Sequence, residues 1–315
     1  MMSLTFSALD LVPVIGGVDD TIALNEAVKL AQAAERLGYS RYWVAEHHNM
    51  PGLACTSPEV LLAHIGAKTE RIRIGSGALL LPHYKPLKVA ESFNLLASLY
   101  PGRIDLGMGR APGGSAQASM ALSGNFLENV RQLPDSLKGI TELMEGSFEY
   151  EGEPVVARPS PSIHPELWLL GTNSKSAAYA AEFGMGYVFG QFMSDSDGVE
   201  IVHSYRKAFI PSRRCPQPKV IVTVGTVCAE TAEEAAQLAA SGTALFQSDG
   251  ATEEKLISTH RKLFVGEAND VAASLEQLAL QYGIDEIMIV TMIPDYKKRL
   301  RSFELLAHAL QSRSF

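Results

Sequence analysis

The feature that most constrains the fold is an alternation of short apolar runs with amphipathic segments along the 315 residues. Eight of the runs have the length and composition of strands, and helical periodicity follows them. They are LTFSALDL, RYWVAE, RIRIGSGALLL, GRIDLGMG, ELWLLG, MGYVFGQF, PKVIVTVGTVCA and DEIMIVTMI. Strands that alternate with helices form parallel sheets, because each helix returns the chain to the same end of the sheet. Eight pairs without a break in composition predict an α/β protein with one closed (β/α)8 TIM barrel over residues 1–315.

Capping residues support the helix assignments. Asp19 or Asp20 can cap the first helix, because a side-chain oxygen there accepts a bond from a free backbone N–H. Gly38 is suited to end that helix in a left-handed conformation. Ser57 is the expected cap of the second helix, with Pro58 at its first position.

Two regions depart from the simple pattern. After the fourth strand we expect a glycine-rich loop and then one long helix through LENVRQLPDSLKGITELMEG. The segment Ser241–Gly266 matches no strand–helix pair. We interpret it as an insertion, or a lid, that precedes the last strand–helix units.

Charge and cysteine content exclude several functional classes. A formal net charge of -8 predicts repulsion from nucleic acid and from anionic membranes. The three cysteines lack the CxxC spacing of a zinc site, and an odd count argues against a disulfide framework. No apolar run reaches the ~18 residues of a membrane span, and the first residues lack a signal-peptide pattern. We therefore expect a cytoplasmic protein.

Residues that carry chemistry follow several of the predicted strands. In a (β/α)8 barrel the active site lies at the carboxyl ends of the strands. Glu46, His47 and His48 follow the second strand. Arg110 follows the fourth strand beside a run of glycines, and Gln191 follows the sixth. All of these side chains would open onto one mouth.

The exit of the fifth strand has the composition of an anion site. Thr172, Asn173 and Ser176 lie where a strand gives way to a helix. Free N–H groups and the positive end of the helix favour a phosphate there. Ordinary helix capping explains the same residues. Arg110 on the neighbouring strand shifts the balance towards a phosphate-bearing ligand, since its guanidinium suits phosphate oxygens.

Two glycines stand inside the third strand, at Gly75 and Gly77, and Ala78 follows them. Glycine within a strand often marks close approach by a ligand or by another backbone. Tight packing inside the barrel is an equally good explanation from the sequence alone.

The two adjacent histidines do not have the spacing of a metal site. Neighbouring residues in an extended chain point to opposite sides, so His47 and His48 should not share one ion. Glu46 precedes the pair, and the H-E-x-x-H spacing is absent. We therefore predict no metal site. One histidine should face the mouth as an acid–base or hydrogen-bonding group, and Glu46 or the backbone should hold the other.

The sequence resembles the bacterial luciferase-like flavin monooxygenase family, and most closely its single-component branch. The run from WVAEHHNMPGLACTSPEVLLAHIGAKT to LYPGRIDLGMGR carries the likeness, together with LWLLGTNSKSAAYAAEFGMGY and YGIDEIMIVTMIPDYKKRLRSFELLA. The resemblance implies a (β/α)8 barrel, reduced FMN supplied by a separate NAD(P)H:flavin reductase, and a homodimer.

The resemblance also implies roles for particular residues. It assigns the phosphate to Arg110 and to the Thr172–Ser176 region, which includes Asn173. It assigns the flavin ring to Gly77 and Ala78, whose peptide bond is cis in relatives. His47 matches the important histidine of the family. Two positions differ, because Gly109 replaces the reactive cysteine of luciferase and Gln191 replaces an aromatic residue near the flavin.

The resulting hypothesis is a monooxygenase that uses reduced FMN and O₂ to oxygenate a small organic substrate through a flavin C4a-peroxide, with His47 as the catalytic residue. Three alternatives remain open. The first is hydride transfer with the deazaflavin F420, and the second is a flavin-binding protein without turnover. The third is a barrel enzyme acting on a sugar phosphate.

Overall fold

Parallel strands form the barrel of the computed structural model, which describes residues 4–245 and 262–313. In chain order the strands are β1 Thr5–Asp10, β2 Arg41–Val44, β3 Arg73–Ser76, β4 Leu79–Leu80, β5 Ile104–Gly109, β6 Glu149–Tyr150, β7 Glu153–Pro154, β8 Glu166–Gly171, β9 Gly186–Gly190, β10 Val220–Ala229, β11 Leu263–Glu267 and β12 Glu286–Val290. The sheet runs β1-β2-β3-β5-β8-β9-β10-β12 and closes where β12 pairs with β1. The predicted (β/α)8 barrel is confirmed.

Helices surround the barrel, and most of them follow the predicted assignments. They are α1 Asp20–Leu37, α2 Pro58–Gly66, α3 Pro86–Leu99, α4 Ala116–Ser123, α5 Phe126–Arg131, α6 Leu133–Glu145, α7 Ser174–Glu182, α8 Gly198–Ala208, α9 Ala232–Leu245, α10 Ala268–Tyr282 and α11 Tyr296–Arg313. Asp19 caps α1 by accepting from the N–H of Thr21, and Gly38 ends it in the left-handed conformation. Ser57 occupies the N-cap position of α2 and Pro58 its first residue, as predicted, but the Ser57 side chain makes no capping hydrogen bond.

The long helix expected through LENVRQLPDSLKGITELMEG is interrupted at Gln132 and forms α5 and α6, and a separate short helix, α4, precedes it. Gly124 ends α4 with a φ of +67°, a backbone conformation that glycine adopts without the strain of a Cβ atom. Pro134 lies in the first turn of α6, where its missing N–H leaves no helical bond unmade. The chain therefore turns twice before α6, and α4 and α5 lie at the carboxyl end of the barrel.

Two further segments sharpen the sequence assignments. The third predicted strand is interrupted between β3 and β4, and the Gly77–Ala78 peptide bond there is cis. The ends of Ser241–Gly266 belong to regular structure, because α9 continues to Leu245 and β11 pairs in parallel with the end of β10. The rest of that segment, including the lid assignment, lies outside the described residues.

Two indoles fill the middle of the barrel. Trp43 of β2 and Trp168 of β8 are fully buried, and their rings meet edge to face with centroids 5.9 Å apart. A Cβ atom on Gly75 would lie 2.7 Å from the indole nitrogen of Trp43, and one on Gly186 would lie 2.4 Å from the Trp168 ring. Gly75 therefore makes room for a tryptophan, which is the packing explanation of that glycine.

A charged cluster closes the amino-terminal end of the barrel. Arg41 donates to Asp105 at 2.9 Å, to Glu286 at 2.9 Å and to Glu166 at 3.3 Å. Burial lowers the pKa of Arg41, but the three carboxylates outweigh burial and the net direction is upward. Arg73 adds a second guanidinium on Asp105. The cluster is internally paired, so it serves the stability of the barrel.

Candidate active site

The inner wall at the carboxyl end of the barrel is built largely from small residues. Trp43 pairs with Gly75, so alternation along β3 directs Gly77 inward as well. The same register directs Gly109 of β5 and Gly190 of β9 towards the axis. A Cβ atom on Gly109 would lie 2.9 Å from the Cβ of Ala78. A Cβ atom on Gly77 would lie 2.7 Å from Leu9 and 3.1 Å from Trp43, so Gly77 packs against these two side chains. The exposed part of this wall is backbone and the Ala78 methyl group, which a flat ligand could approach closely.

Glu46 holds together the segments on either side of the cis peptide. Its backbone N–H donates to the carbonyl of Ala78 at 3.2 Å, and its carboxylate accepts from the N–H of Leu80 at 2.8 Å. The same carboxylate accepts from Tyr84 at 2.9 Å and contacts Nε2 of His48 at 2.6 Å. Burial raises the pKa of Glu46, and these three hydrogen bonds offset part of the effect. Glu46 thereby fixes the wall that carries Gly77 and Ala78.

The two histidines are separated, as strand alternation predicted. His48 turns to Glu46, and its ring also meets that of His83 edge to face at 5.6 Å. His47 makes no side-chain hydrogen bond of normal geometry with the described residues, and its Nδ1 is buried. The His47 residue as a whole is only half-buried. Burial lowers the pKa of His47, and the Ala45 carbonyl offsets this in part.

A neutral His47 ring can both accept and donate a proton near neutral pH. Burial favours the neutral ring, which has one N–H donor and one acceptor nitrogen. A histidine in that state suits acid–base work at the mouth.

The residues predicted to bind phosphate meet beside α7. Arg110 lines a small cavity with Lys175, Ser176 and Tyr179, and it makes no ion pair within the described residues. Asn173 and Ser176 are largely occupied with capping. The Asn173 side chain accepts from the N–H groups of Lys175 and Ser176, and the Ser176 hydroxyl donates to the Asn173 carbonyl at 2.7 Å. Arg110 and Lys175 are therefore the cations available to an anion at this exit, and the Lys175 ammonium also lies 5.7 Å from the centre of the Tyr179 ring.

Thr172 and Gln191 complete the set of predicted residues. The Thr172 carbonyl accepts from the Ser194 hydroxyl at 2.7 Å, and its methyl group lies close to Gly190. Gln191 begins a 3₁₀ helix, Gln191–Met193, directly after β9. Its Oε1 is buried and has no hydrogen-bond partner in the described part of the chain. The amide is therefore available to a ligand.

Sequence reasoning missed two polar residues of this region. Tyr84 holds Glu46, as described above, and follows the 3₁₀ helix Leu81–His83. Thr223 of β10 is 2% exposed, and its hydroxyl finds no partner among residues 4–245 and 262–313. Alternation within the apolar run PKVIVTVGTVCA could have marked this single inward hydroxyl, but a fully buried strand shows no polar–apolar period.

Metal and membrane patterns are missing from the part of the chain that the structure describes. In residues 4–245 and 262–313, no three side chains of the His, Cys, Asp or Glu type come together as a metal would need. Across the same residues, no helix is both long enough and apolar enough to cross a bilayer.

Comparison with known proteins covers nearly the whole chain. The model of the luciferase-like monooxygenase family matches residues 4–298. YwcH of Bacillus subtilis is 40% identical, with 97% of this chain and 98% of that protein aligned. N-acetyl-S-alkylcysteine monooxygenase of Bacillus subtilis is 34% identical, with 91% and 92% aligned.

Solved structures agree with the barrel. The crystal structure of apo-MsnO8 superposes with a TM-score of 0.87 at 34% identity, covering 98% of each chain. More distant structures share the fold alone. They include the oxygenating constituent of 3,6-diketocamphane monooxygenase in complex with FMN, with a TM-score of 0.73 at 19% identity, covering 98% of this chain and 99% of that one. An F420-dependent secondary alcohol dehydrogenase has a TM-score of 0.72 at 16% identity, with the same coverage. The chain is thus a member of the luciferase-like monooxygenase family.

Proposed function

We propose that the protein is a flavin-dependent monooxygenase that uses reduced FMN and O₂ to oxygenate a small organic substrate. Membership of the luciferase-like monooxygenase family supports an oxygenase activity, and the use of FMN as the cofactor is our proposal. The single observation that carries it is the state of His47, a half-buried residue whose Nδ1 is buried and has no hydrogen-bond partner in the described residues. A side chain left unbonded at that position is available to a reacting ligand.

The donors at the mouth fit the two ends of FMN. Arg110 and the start of α7 offer a cation and a positive helix end for the phosphate. The backbone wall at Gly77 and Ala78 would lie against a flat ring, since these two residues carry at most a methyl group. Bound in this way, reduced FMN would supply the electrons that activate O₂.

The protein's own groups would orient the reactants and control protons. His47 would hold or move a proton through Nε2, and burial keeps its ring neutral near pH 7. Glu46 would keep His48 and the wall around Ala78 in place. Gln191 would offer its amide to the bound molecules.

Sulfur oxidation is the first reaction to test. A relative with 34% identity is named for N-acetyl-S-alkylcysteine, so that class of thioether is a reasonable first substrate. A separate NAD(P)H:flavin reductase, a homodimeric state and a cytoplasmic location stay predictions.

An anaerobic titration tests the cofactor. Reduced FMN and reduced F420 are titrated separately into the purified protein, and binding is followed by fluorescence. We expect FMN to bind more tightly. Tighter binding of F420 would replace the monooxygenase with hydride transfer, and failure of both flavins to bind would exclude either activity.

Turnover tests the role of His47. The complex with reduced FMN is mixed with ¹⁸O₂ and N-acetyl-S-methylcysteine, and labelled product and hydrogen peroxide are measured. His47→Gln should bind FMN like wild type but release more peroxide per product. His203→Gln, which changes an exposed histidine on α8, is the matched control. Binding of reduced FMN that yields hydrogen peroxide but no labelled product with any tested thioether would favour a flavin-binding protein without turnover.

A further inference from the structure

Thr223 is a buried hydroxyl that the proposed cofactor site does not use. It is 2% exposed, and its oxygen has no partner in the described residues. A buried hydroxyl without a hydrogen bond destabilises the folded protein, so its presence points to a ligand that completes it. We propose that Thr223 and Gln191 form a polar subsite that binds an amide group of the substrate. This inference rests on the proposed function.

The register places Thr223 on the inner wall, opposite the proposed flavin side. Thr223 pairs with Gly190 on β9 and with Met288 on β12, and Met288 packs in the barrel interior with the two indoles. Counting around the barrel, β10 is the seventh strand and β3 the third. In a closed barrel of eight strands, the third and the seventh strands lie on opposite sides of the axis. A ring lying against Gly77 and Ala78 therefore leaves Thr223 on the substrate side.

Gln191 supplies the second group of the subsite. It directly follows Gly190, the residue paired with Thr223, and its 3₁₀ helix packs on β10. Its Oε1 is also buried and without a partner in the described residues. An amide oxygen accepts a hydrogen bond, whereas a hydroxyl can donate one. The pair thus complements an N–H and a C=O, the two groups of a secondary amide.

The surroundings of the subsite are apolar. Phe192 and Leu263 pack beside Gly225, two residues beyond Thr223, and Met193 lies against Gly190. Met193 is 62% exposed. Its flexible thioether chain can change rotamer at small cost and open a path to the hydroxyl. The subsite therefore suits an amide that carries a compact apolar arm.

Removal of the hydroxyl tests whether the protein itself uses it. Thr223→Val keeps the shape and deletes an unpartnered group, so the midpoint of thermal unfolding should rise by about 2–4 °C. Thr226→Val is the matched control on the same strand. The Thr226 hydroxyl contacts that of Thr291 at 3.3 Å, so its loss should lower the midpoint. A lower midpoint for Thr223→Val would show a structural hydroxyl and overturn the proposal.

Two isosteric probes test the ligand chemistry. N-benzylacetamide carries the N–H and C=O of an amide, and 4-phenylbutan-2-one replaces the N–H with a methylene. Binding of each is measured by calorimetry with and without FMN. Wild type should bind the amide about fivefold to tenfold more tightly, the effect of one neutral hydrogen bond. Gln191→Leu should abolish that preference. Thr223→Val should weaken the binding of both probes, because the contact to their C=O group is lost.

The remaining outcomes each decide the matter. Equal affinity of wild type for the two probes, or no binding of the amide, contradicts the subsite. Weaker binding of FMN by Thr223→Val would assign the hydroxyl to the cofactor instead. Selective binding of the amide by a protein that fails to bind FMN would retain the subsite and remove only the proposed function.

Discussion

The two ends of the barrel treat polar groups in opposite ways. At the amino-terminal end, Arg41 and Asp105 are buried together, and each has several partners. At the carboxyl end, His47, Gln191 and Thr223 each have a buried polar side-chain atom that makes no hydrogen bond with the described residues. Arg41 begins β2 and His47 follows the end of the same strand, so one strand leads to both kinds of group.

This difference separates stability from function within one fold. Paired charges at the closed end hold the strands in register. Removing one member of a pair would leave its partner as an uncompensated charge inside the protein. Unpaired groups at the mouth destabilise the ligand-free protein slightly and become useful when a ligand supplies the missing partner. The comparison therefore predicts that mutations at the two ends have different signatures.

Loss of Arg41 should have the largest effect on stability. Arg41→Met leaves three carboxylates without their shared cation, and the free energy of unfolding should fall by about 3–5 kcal/mol. Urea denaturation measures the loss. Arg313→Met removes an exposed pair with Glu276 and should leave the urea midpoint nearly unchanged. Equal midpoints for the two variants would contradict the role given to the closed end.

Loss of Arg110 should act on affinity alone. Because Arg110 has no ion-pair partner in residues 4–245 and 262–313, Arg110→Ala should leave the urea midpoint unchanged. The substitution should weaken the binding of reduced FMN about tenfold to a hundredfold, which is the range for losing a hydrogen bond to a charged group. Riboflavin, which lacks the phosphate, is the control ligand. A similar loss of riboflavin affinity would mean that Arg110 does not bind the phosphate.

The buried ring of His47 should make stability depend on pH. Its pKa is lowered in the folded protein, so the unfolded chain binds the proton more readily below pH 6.5. Stability is therefore complete above that pH and falls as the pH decreases, by at most about 1.4 kcal/mol per pH unit from this residue. His47→Gln should have a shallower dependence between pH 7 and 5. Identical slopes would place the ring in water.

Loss of the Tyr84 hydroxyl should have the smallest effect and tests where the division between the two ends lies. Glu46 lies at the mouth but is fully bonded, so its partners should behave like those of the closed end. Tyr84→Phe removes one of three contacts to that carboxylate and should cost about 1 kcal/mol of unfolding free energy. Chemical denaturation measures it. A gain in stability would place Tyr84 with the unpaired groups instead.

Most of the fold could be predicted from local sequence patterns. Propensity and periodicity indicate the alternation of strands and helices, and the capping roles of Asp19 and Gly38 depend only on residues close by in the chain. The long helix was wrong because a helical period continues across Gln132, where α5 ends and α6 begins. Period alone does not distinguish one helix from two in succession.

The candidate site was only partly predictable, because contacts made in the folded chain decide which of its polar groups are already bonded. Strand parity separated His47 from His48, and the residues at the strand exits were found by their position. The sequence could not tell whether Gly75 faced a ligand or Trp43, and it gave no sign that Asn173 would be occupied by its own helix. Thr223 was hidden in a strand whose residues are all buried.

The sequence by itself determined the barrel, the family likeness and the residues that gather at its mouth, because periodicity, caps and motifs are local properties of the chain. Only the tertiary structure decided which of those polar groups are already bonded and which are left open. That distinction depends on distances between strands far apart in sequence, such as β2 and β3 for Glu46 or β9 and β10 for Thr223. Closure of the barrel, which brings β12 back to β1, sets those distances.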